Sequence, residues 1–154
     1  MEKATFAAGC FWGVELKFSQ IPGVISTVVG YTGGHTVNPS YEQVCHGDTG
    51  HAESIQIVFD PQQVTYVDLL DVFWGIHNPT TLNRQGPDVG TQYRSAIFYH
   101  DERQKQQALD SMAELVRDKV FSLPITTELA AAGEFYPAEE YHQKYLEKHG
   151  SNYC

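Results

Sequence analysis

Residues 53–59 read Glu-Ser-Ile-Gln-Ile-Val-Phe, and this stretch decides how the chain is laid out. Its strict alternation puts Ile55, Ile57 and Phe59 on one face of a strand, because successive side chains of a strand point to opposite faces. Glu53 is in phase with that apolar face. A carboxylate carried toward the core is partly desolvated, which raises its pKa. We therefore predict a half-buried strand that begins with an unusually weak acid.

Upstream of this strand, the pattern predicts a strand, a helix and a second strand. Residues 4–9 are small and apolar, as in a buried strand, and apolar residues recur at helical spacing over residues 11–18. Residues 24–29 are rich in β-branched side chains and predict the second strand. Residues 30–48 are polar and contain several glycines, which predicts a long loop of the kind that is usually functional or mobile.

Downstream, helices and strands continue to alternate. Thr65 is placed to cap one helix, residues 93–99 predict a strand, and Asp101 is placed to cap a second helix. The inner face of that second helix is predicted to consist of Leu109, Met112, Ala113 and Val116. A short strand near residues 124–128 and a last helix near residues 137–148 complete the chain.

The order of the main elements is strand-helix-strand-strand-helix-strand, which is typical of a split βαβ core. We therefore predict an α+β fold. It is a two-layer sandwich with a ferredoxin-like split βαβ core, in which a mixed sheet is packed by helices, and a long irregular C-terminal region follows. With 154 residues, the chain has the size of one domain. We expect a single domain over residues 1–154, either a whole protein or one domain of a larger fusion.

Composition excludes several classes of function. The formal net charge is -9, and an acidic surface repels phosphate backbones, so no nucleic-acid partner is expected. No apolar run is long enough to cross a bilayer, and residues 1–8 lack the apolar stretch of a signal peptide. We expect a cytoplasmic protein without a membrane partner, exported only if the chain is part of a larger exported fusion.

Cysteine is the residue type that suggests chemistry. Three cysteines occur, at Cys10, Cys45 and Cys154, and their wide spacing fits neither a disulfide framework nor a Cys-x-x-Cys motif. Cys10 lies where the first predicted strand ends and the first helix begins. A helix N-terminus stabilises an anion and can lower a thiol pKa from about 8.5 to neutral or below. Cys10 is thus either a reactive thiol or an inert core residue.

Residues 9–13 read Gly-Cys-Phe-Trp-Gly and resemble the signature of the A-type peptide methionine sulfoxide reductase family, which acts on the S epimer of the sulfoxide. Further blocks match the family in order: residues 30–31, 39–42, 50–53, 77–80, 88–95, 135–136 and 142–143. The resemblance spans nearly the whole chain. It implies an oxidoreductase, a single catalytic domain that repairs oxidised methionine in proteins or as the free amino acid.

The resemblance also assigns catalytic roles. Cys10 is similar to the nucleophile that attacks the sulfoxide sulfur, and Glu53 to the acid that protonates the sulfoxide oxygen. The strand phase of Glu53 agrees with that role, although without the resemblance a water-facing carboxylate at a strand start is the simpler reading. Tyr41 and Tyr93 resemble the phenols that hydrogen-bond the oxygen, whereas ordinary packing is the usual role of a tyrosine.

Three further residues resemble substrate contacts. Phe11 and Trp12 match the walls of the pocket that holds the ε-methyl group; otherwise they are core anchors of the first helix. Asp88 matches a position near the bound substrate, and between Pro87 and Val89 it equally suits a turn.

The reaction implied by the resemblance leaves Cys10 as a sulfenic acid, which a second thiol resolves as a disulfide. Cys154 lies in a glycine-containing polar tail, where family members commonly carry a resolving cysteine, and we expect a Cys10–Cys154 disulfide. Some members have two cysteines there and this chain has one. Cys45 is expected to be a bystander with weak potential as a backup resolver. Thioredoxin is the expected external reductant, with no metal or organic cofactor.

Other functions stay open at this point. Cys10 could serve a cysteine hydrolase with His51 as its base, a thiol peroxidase, or a binding module in which it is structural. Zinc held by Cys45, His46 and His51 fits no standard spacing, and the pair Glu139-x-x-His142 is more simply a helix surface pair or a core histidine. We expect a monomer whose partners are thioredoxin and oxidised proteins or peptides.

Overall fold

The computed structural model of the chain describes residues 1–149. The strands are β1 Glu2–Ala8, β2 Val24–Thr32, β3 Ala52–Phe59, β4 Arg84–Gln85, β5 Asp88–Val89, β6 Ser95–Tyr99, β7 Glu128–Ala131 and β8 Tyr136–Pro137. The helices are α1 Phe11–Ser19, α2 Tyr41–Cys45, α3 Tyr66–Gly75, α4 Glu102–Arg117 and α5 Tyr145–His149. Single turns of 3₁₀ helix cover Thr91–Tyr93 and Glu140–His142.

The main sheet has the strand order β7-β6-β1-β3-β2-β8, and β4 and β5 form a separate small hairpin. β3 pairs antiparallel with both β1 and β2, so it lies between the two strands that α1 connects. β1 and β6 are also antiparallel, whereas the edge strand β7 runs parallel to β6. The sheet is therefore mixed, and the predicted α+β fold with a mixed sheet packed by helices is confirmed.

The main core forms where the apolar faces of β1 and β3 meet the helices. Ile55, Ile57 and Phe59 are fully buried, as their alternation predicted. On the neighbouring strand, the Phe6 ring stacks on Phe18 of α1 and Phe73 of α3, with centroid separations of 5.5 and 5.1 Å. Each such side chain contributes about 1.5–3 kcal/mol when it is fully buried. This packing fixes α1 and α3 against the sheet, and with them the end of β1 where Cys10 lies.

Two of the predicted helix starts are confirmed by their capping bonds. Thr65 Oγ1 accepts a hydrogen bond of 3.1 Å from Asp68 N, and the Asp68 carboxylate accepts one of 3.0 Å from Thr65 N. Asp101 Oδ1 accepts a hydrogen bond of 2.8 Å from Gln104 N at the start of α4. These side chains satisfy N–H groups that have no partner within the helix.

The predicted inner face of α4 is wrong in part. Leu109 and Val116 are 42% and 66% exposed. Ala108 is fully buried instead, and Met112 and Leu115 pack against the main core. The stripe that faces the sheet is rotated by about one residue from the most apolar stripe, because tertiary contacts outweigh the local pattern.

Residues 30–48 are not the continuous loop that was predicted. β2 continues to Thr32, and α2 spans Tyr41–Cys45. Ser40 caps α2 by accepting from Gln43 N, while the Gln43 side chain accepts from Ser40 N. This reciprocal pair is a capping box, whose Ser-x-x-Gln signature is present in the sequence.

Three other element boundaries also differ from the prediction. Tyr93 lies in a 3₁₀ turn, and β6 begins only at Ser95. The short strand near residues 124–128 is β7, which begins at Glu128. The predicted last helix near residues 137–148 is divided into β8, a 3₁₀ turn and α5. Among the described residues, no helix has the length and apolar character needed to cross a bilayer.

Candidate active site

Cys10 is the N-cap residue of α1 and directly follows the turn that ends β1. Gly9 makes this turn with φ +94°, and a Cβ at that position would lie 2.8 Å from Gln85 Cγ, so a glycine is required there. Cys10 itself is half-buried. Cys10 therefore stands at the positive end of α1, the position that the sequence predicted.

Glu53 lies against the same helix end. It is 1% exposed, and its Oε1 accepts a hydrogen bond of 3.2 Å from Phe11 N, the first N–H of α1. Its Oε2 is buried and has no hydrogen-bond partner among residues 1–149. The acid is thus fixed beside the thiol and keeps one oxygen available.

Burial raises the pKa of Glu53 to about 8. The charge of Asp88 raises the pKa further, whereas the hydrogen bond from Phe11 opposes the shift. The weak acid that the phase of β3 predicted is confirmed. At neutral pH the carboxyl group holds its proton, which is the form that a general acid needs.

Two phenols complete the polar side of the site. Tyr41 is the first residue of α2, Tyr93 lies in the 3₁₀ turn, and both side chains are half-buried. Burial is the main cause that raises both pKa values, and the charge of Glu53 is the second. The charges of Cys45, Asp88 and Cys10 also raise the pKa of Tyr93. Both phenols stay protonated at physiological pH and can donate hydrogen bonds.

Aromatic rings form the apolar side. Phe11 is buried, and its ring centroid lies 6.5 Å from that of Tyr41 and 5.2 Å from that of His142. Trp12 stacks on Tyr145 at 3.9 Å and donates a hydrogen bond of 3.0 Å from Nε1 to His142 Nδ1. The two residues after Cys10 are therefore held by the C-terminal segment.

His142 and Tyr145 are site residues that the sequence analysis did not find. The spacing of Glu139 and His142 favours a helix surface pair or a core histidine over a metal site, and the sequence predicts no role for Tyr145. His142 is fully buried, and its Nε2 has no hydrogen-bond partner among the described residues. The available signal was the matched block at residues 142–143, but nothing local shows that these rings reach Trp12, which is far away in the chain.

Glu139 anchors the C-terminal segment to the phenol side. Its two oxygens accept hydrogen bonds from Tyr31 Oη at 2.9 Å and from Tyr41 N at 3.1 Å. Burial alone would raise the pKa of Glu139, but hydrogen bonds from backbone N–H groups and from Tyr31 outweigh it and lower the pKa. Glu139 is therefore a carboxylate at neutral pH, unlike Glu53.

A cavity of about 290 Å³ opens beside Cys10, lined on its other sides by Val14, Ile76 and Asp88 among others. Asp88 begins β5 of the small hairpin. Its charge raises the pKa of Glu53, so Asp88 lies near the acid as well as near the thiol. The predicted site residues of the described chain are thus brought together at one end of β3.

The other two cysteines are placed differently. Cys45 is the exposed last residue of α2. Burial of its sulfur and the charges of Glu53 and Glu139 raise its thiol pKa, although a hydrogen bond with Tyr41 opposes this. A raised pKa leaves less thiolate at neutral pH, so the Cys45 thiol is a poorer nucleophile than an ordinary thiol. Cys154 lies outside the described residues.

The hydrolase alternative is disfavoured by the environment of His51. Its Nδ1 accepts a hydrogen bond from Gly34 N at 3.0 Å, and its Nε2 lies 2.7 Å from Thr36 O. Both ring nitrogens are thus used by the backbone of the preceding loop, and neither is left to activate a thiol. Within residues 1–149, no group of three or more His, Cys, Asp or Glu side chains is arranged to hold a metal ion.

Comparisons with known proteins agree with this geometry. The family model for peptide methionine sulfoxide reductase matches residues 2–154. The peptide methionine sulfoxide reductase MsrA of Methanosarcina acetivorans is 63% identical over 150 residues, which is 97% of this chain and 80% of that protein.

Solved structures are also similar. The reduced form of Mxr1 from Saccharomyces cerevisiae has a TM-score of 0.93 and 37% identity, covering 99% of this chain and 88% of that chain. The same yeast protein in complex with Trx2 has a TM-score of 0.67 and 26% identity, covering 94% of this chain and 84% of that chain.

Proposed function

This chain belongs to the peptide methionine sulfoxide reductase family, and on that premise we propose that it reduces the S epimer of methionine sulfoxide with Cys10 as the nucleophile. One observation carries the proposal. Glu53 holds a proton at neutral pH, keeps one oxygen unpaired, and is bonded to the first turn of the helix that presents Cys10.

In the first step, the Cys10 thiolate attacks the sulfoxide sulfur while Glu53 delivers its proton to the sulfoxide oxygen. The N-terminus of α1 favours the thiolate. As charge develops on the oxygen, the phenols of Tyr41 and Tyr93 stabilise it by hydrogen bonds. The bond formed in the attack and the S–O bond of the sulfoxide both break as the hydroxyl passes from the sulfoxide sulfur to Cys10 Sγ, so that methionine leaves and Cys10 remains as a sulfenic acid.

The substrate is held by the aromatic side of the site. Phe11 and Trp12 form the apolar wall that receives the ε-methyl group, and His142 and Tyr145 hold Trp12 in place. Asp88 lies at the cavity beside Cys10, where the rest of the substrate emerges. Either a free amino acid or a residue in an oxidised protein suits this arrangement.

In the second step, a thiol condenses with the Cys10 sulfenic acid, water leaves, and a disulfide forms. We assign this thiol to Cys154, because family members commonly carry a resolving cysteine in such a tail, and we keep Cys45 as a bystander, because its raised thiol pKa leaves less thiolate at neutral pH. The dithiol of thioredoxin then reduces the disulfide by exchange. The complex of yeast Mxr1 with Trx2 supports thioredoxin as the reductant. No prosthetic group takes part in this scheme.

The remaining expectations belong to the same proposal. Residues 1–154 act as a single catalytic domain and as a monomer in the cytoplasm. Its partners are oxidised proteins or peptides and thioredoxin, with neither nucleic acid nor membrane. The net charge of -9 supports the exclusion of nucleic acid.

The test is epimer-resolved turnover of a methionine sulfoxide peptide with dithiothreitol or thioredoxin as reductant. The native chain is expected to consume only the S epimer. Cys154→Ser is expected to keep single-turnover reduction and to lose thioredoxin-driven turnover, and the matched control Cys45→Ser to keep both. Failure of a folded native chain to reduce either epimer would overturn the proposal in favour of a binding module.

A further inference from the structure

We propose that Arg94 is a positioning residue that fixes the Tyr93 phenol at the active site, an inference that rests on the proposed function. Arg94 directly follows the 3₁₀ turn Thr91–Tyr93, and its side chain is only 12% exposed. The catalytic scheme gives this half-buried guanidinium no task of its own. Its contacts show which segments it joins.

The guanidinium binds three separate parts of the chain. Nη1 donates to Thr91 O at 3.0 Å, Nε donates to Glu128 Oε1 on β7 at 3.0 Å, and Nη2 donates to Gly33 O just after β2 at 3.4 Å. A planar fork with donors at fixed angles suits three acceptors in different directions, which a lysine ammonium on a flexible stem does not. The structure thus uses the shape of arginine as well as its charge.

The contact with Thr91 closes the turn that carries Tyr93. Tyr93 N donates to Gly90 O at 3.0 Å and Arg94 N donates to Thr91 O at 3.2 Å. Thr91 O therefore accepts from both the backbone and the side chain of Arg94. With this carbonyl held twice, the turn has little freedom to rotate, and the direction of the Tyr93 side chain is set.

The contact with Gly33 joins this turn to the segment that leads to the other phenol. Gly33 has φ +87°, and a Cβ there would lie 3.0 Å from Arg94 Nη2 and 2.8 Å from the Phe98 ring. The close approach thus requires glycine. From Gly33 the chain runs on to α2, whose first residue is Tyr41. Arg94 thus joins the turn that carries Tyr93 to the start of the segment that leads to Tyr41.

A second side-chain hydrogen bond also connects the 3₁₀ turn to α2. The Gln92 side chain donates to Cys45 O at 3.5 Å and so joins the same turn to the end of α2. Glu128 is 42% exposed, and an ion pair with such an exposed partner stabilises little, because water and salt screen it. The backbone contacts, rather than the ion pair, should therefore carry the effect of Arg94.

The test is a double-mutant cycle of Arg94→Lys with Tyr93→Phe, read as the single-turnover rate of sulfoxide reduction. Arg94→Lys is expected to lower this rate about tenfold in the native background, since a small misplacement of a catalytic group has a large effect on rate. In the Tyr93→Phe background the same change is expected to have less than about a twofold effect, because the phenol is already absent. Recycling by thioredoxin is expected to be unchanged.

Two controls isolate the backbone contacts. Arg84→Lys removes the fork of an exposed arginine, and Glu128→Gln removes the ion pair alone; both are expected to stay within about twofold of the native rate. Arg94→Gln replaces Arg94→Lys in the cycle if the lysine variant does not fold. Equal rate losses in both Tyr93 backgrounds, no loss on Arg94→Lys, or no loss on Tyr93→Phe alone would overturn the proposal. An inactive native chain would instead overturn the proposed function.

Discussion

Glu53 is buried and His77 is half-buried, and desolvation keeps both side chains neutral at pH 7, yet their hydrogen bonding is opposite. Burial raises the pKa of Glu53 to about 8 and lowers that of His77 to about 4, although a hydrogen bond with Phe73 opposes the shift of His77. His77 is satisfied at both nitrogens: Nδ1 lies 2.6 Å from Phe73 O and Nε2 lies 2.7 Å from Ser95 Oγ. Glu53 keeps one buried oxygen unpaired.

The difference in hydrogen bonding between Glu53 and His77 distinguishes a functional side chain from a structural one. Buried polar atoms in native proteins are nearly always hydrogen-bonded, because an unpaired one is costly. Ser95 Oγ continues the chain from His77 to Thr127 Oγ1 at 2.8 Å, so that network links α3, β6 and the segment before β7 and is complete. The unpaired oxygen of Glu53 is the atom to which the proposed function gives a task, the transfer of a proton to the sulfoxide oxygen. Four predictions test this contrast.

The largest expected effect is on the pH dependence of stability at Glu53. Its pKa rises from 4.5 to about 8 on folding, and each pKa unit is worth about 1.4 kcal/mol. The folded state binds the proton more tightly, so the stabilisation is complete below pH 4.5 and is lost as pH rises through 8. Compared with Glu53→Gln, the native chain is expected to lose about 5 kcal/mol between pH 4 and 9 in urea unfolding. A constant difference between the two chains would contradict the buried, weak acid.

The contribution of His77 to the pH dependence of stability is expected to have the opposite sign and a somewhat smaller size. Its pKa falls from 6.5 to about 4 on folding, so the unfolded state binds the proton more tightly. Stability is complete above pH 6.5 and is lost as pH falls through 4, by about 3 kcal/mol. Urea unfolding of the native chain and of His77→Gln at pH 7 and pH 4 measures this. An equal loss of stability by both chains on acidification would contradict the view that His77 is a desolvated, neutral side chain in the folded protein.

His142 combines the two cases in one side chain, because within residues 1–149 one of its ring nitrogens is hydrogen-bonded and the other is not. Its Nδ1 accepts from Trp12, whereas its Nε2 is buried without a partner among the described residues. His142→Phe keeps a ring in place and removes the acceptor, a loss of about 1 kcal/mol. We expect KM for a methionine sulfoxide peptide to rise about fivefold with kcat little changed. An unchanged KM would show that Trp12 does not depend on His142.

Tyr66 tests whether an unpaired buried atom is enough to identify a functional side chain. Its hydroxyl is buried without a partner among residues 1–149, as Glu53 Oε2 is, but its ring stacks on Phe6 in the main core. Tyr66→Phe removes an unsatisfied group and is expected to leave activity unchanged and stability equal or higher by up to about 1 kcal/mol. Loss of peptide reduction in this variant would mean that unpaired atoms alone do not identify the site.

Much of the fold and part of the site could be predicted from local pattern. Alternation in β3 indicated a buried Glu53 with a raised pKa, because strand phase determines which face a side chain takes, but the family resemblance was needed to prefer this over a water-facing carboxylate. The caps of Thr65 and Asp101 were found from their residue types alone. Such signals are contained within a few residues.

The features that were missed depend on contacts distant in sequence or on weak local signals. α2 was missed because its capping box lies inside a glycine-containing polar stretch. The bond from Trp12 to His142 joins residues 130 positions apart, and no periodicity connects them. The rotated face of α4 likewise follows from how the helix packs on the sheet rather than from its own sequence.

The most direct test of the account is the single-turnover reduction of the S epimer by Glu53→Gln at pH 7. Glutamine keeps the size of the side chain and can accept from Phe11 N, but it has no acidic proton to deliver. The account predicts a rate at least about a hundredfold below that of the native chain, as expected when a general acid is removed. A rate within about threefold of the native chain would contradict the claim that Glu53 is the proton donor.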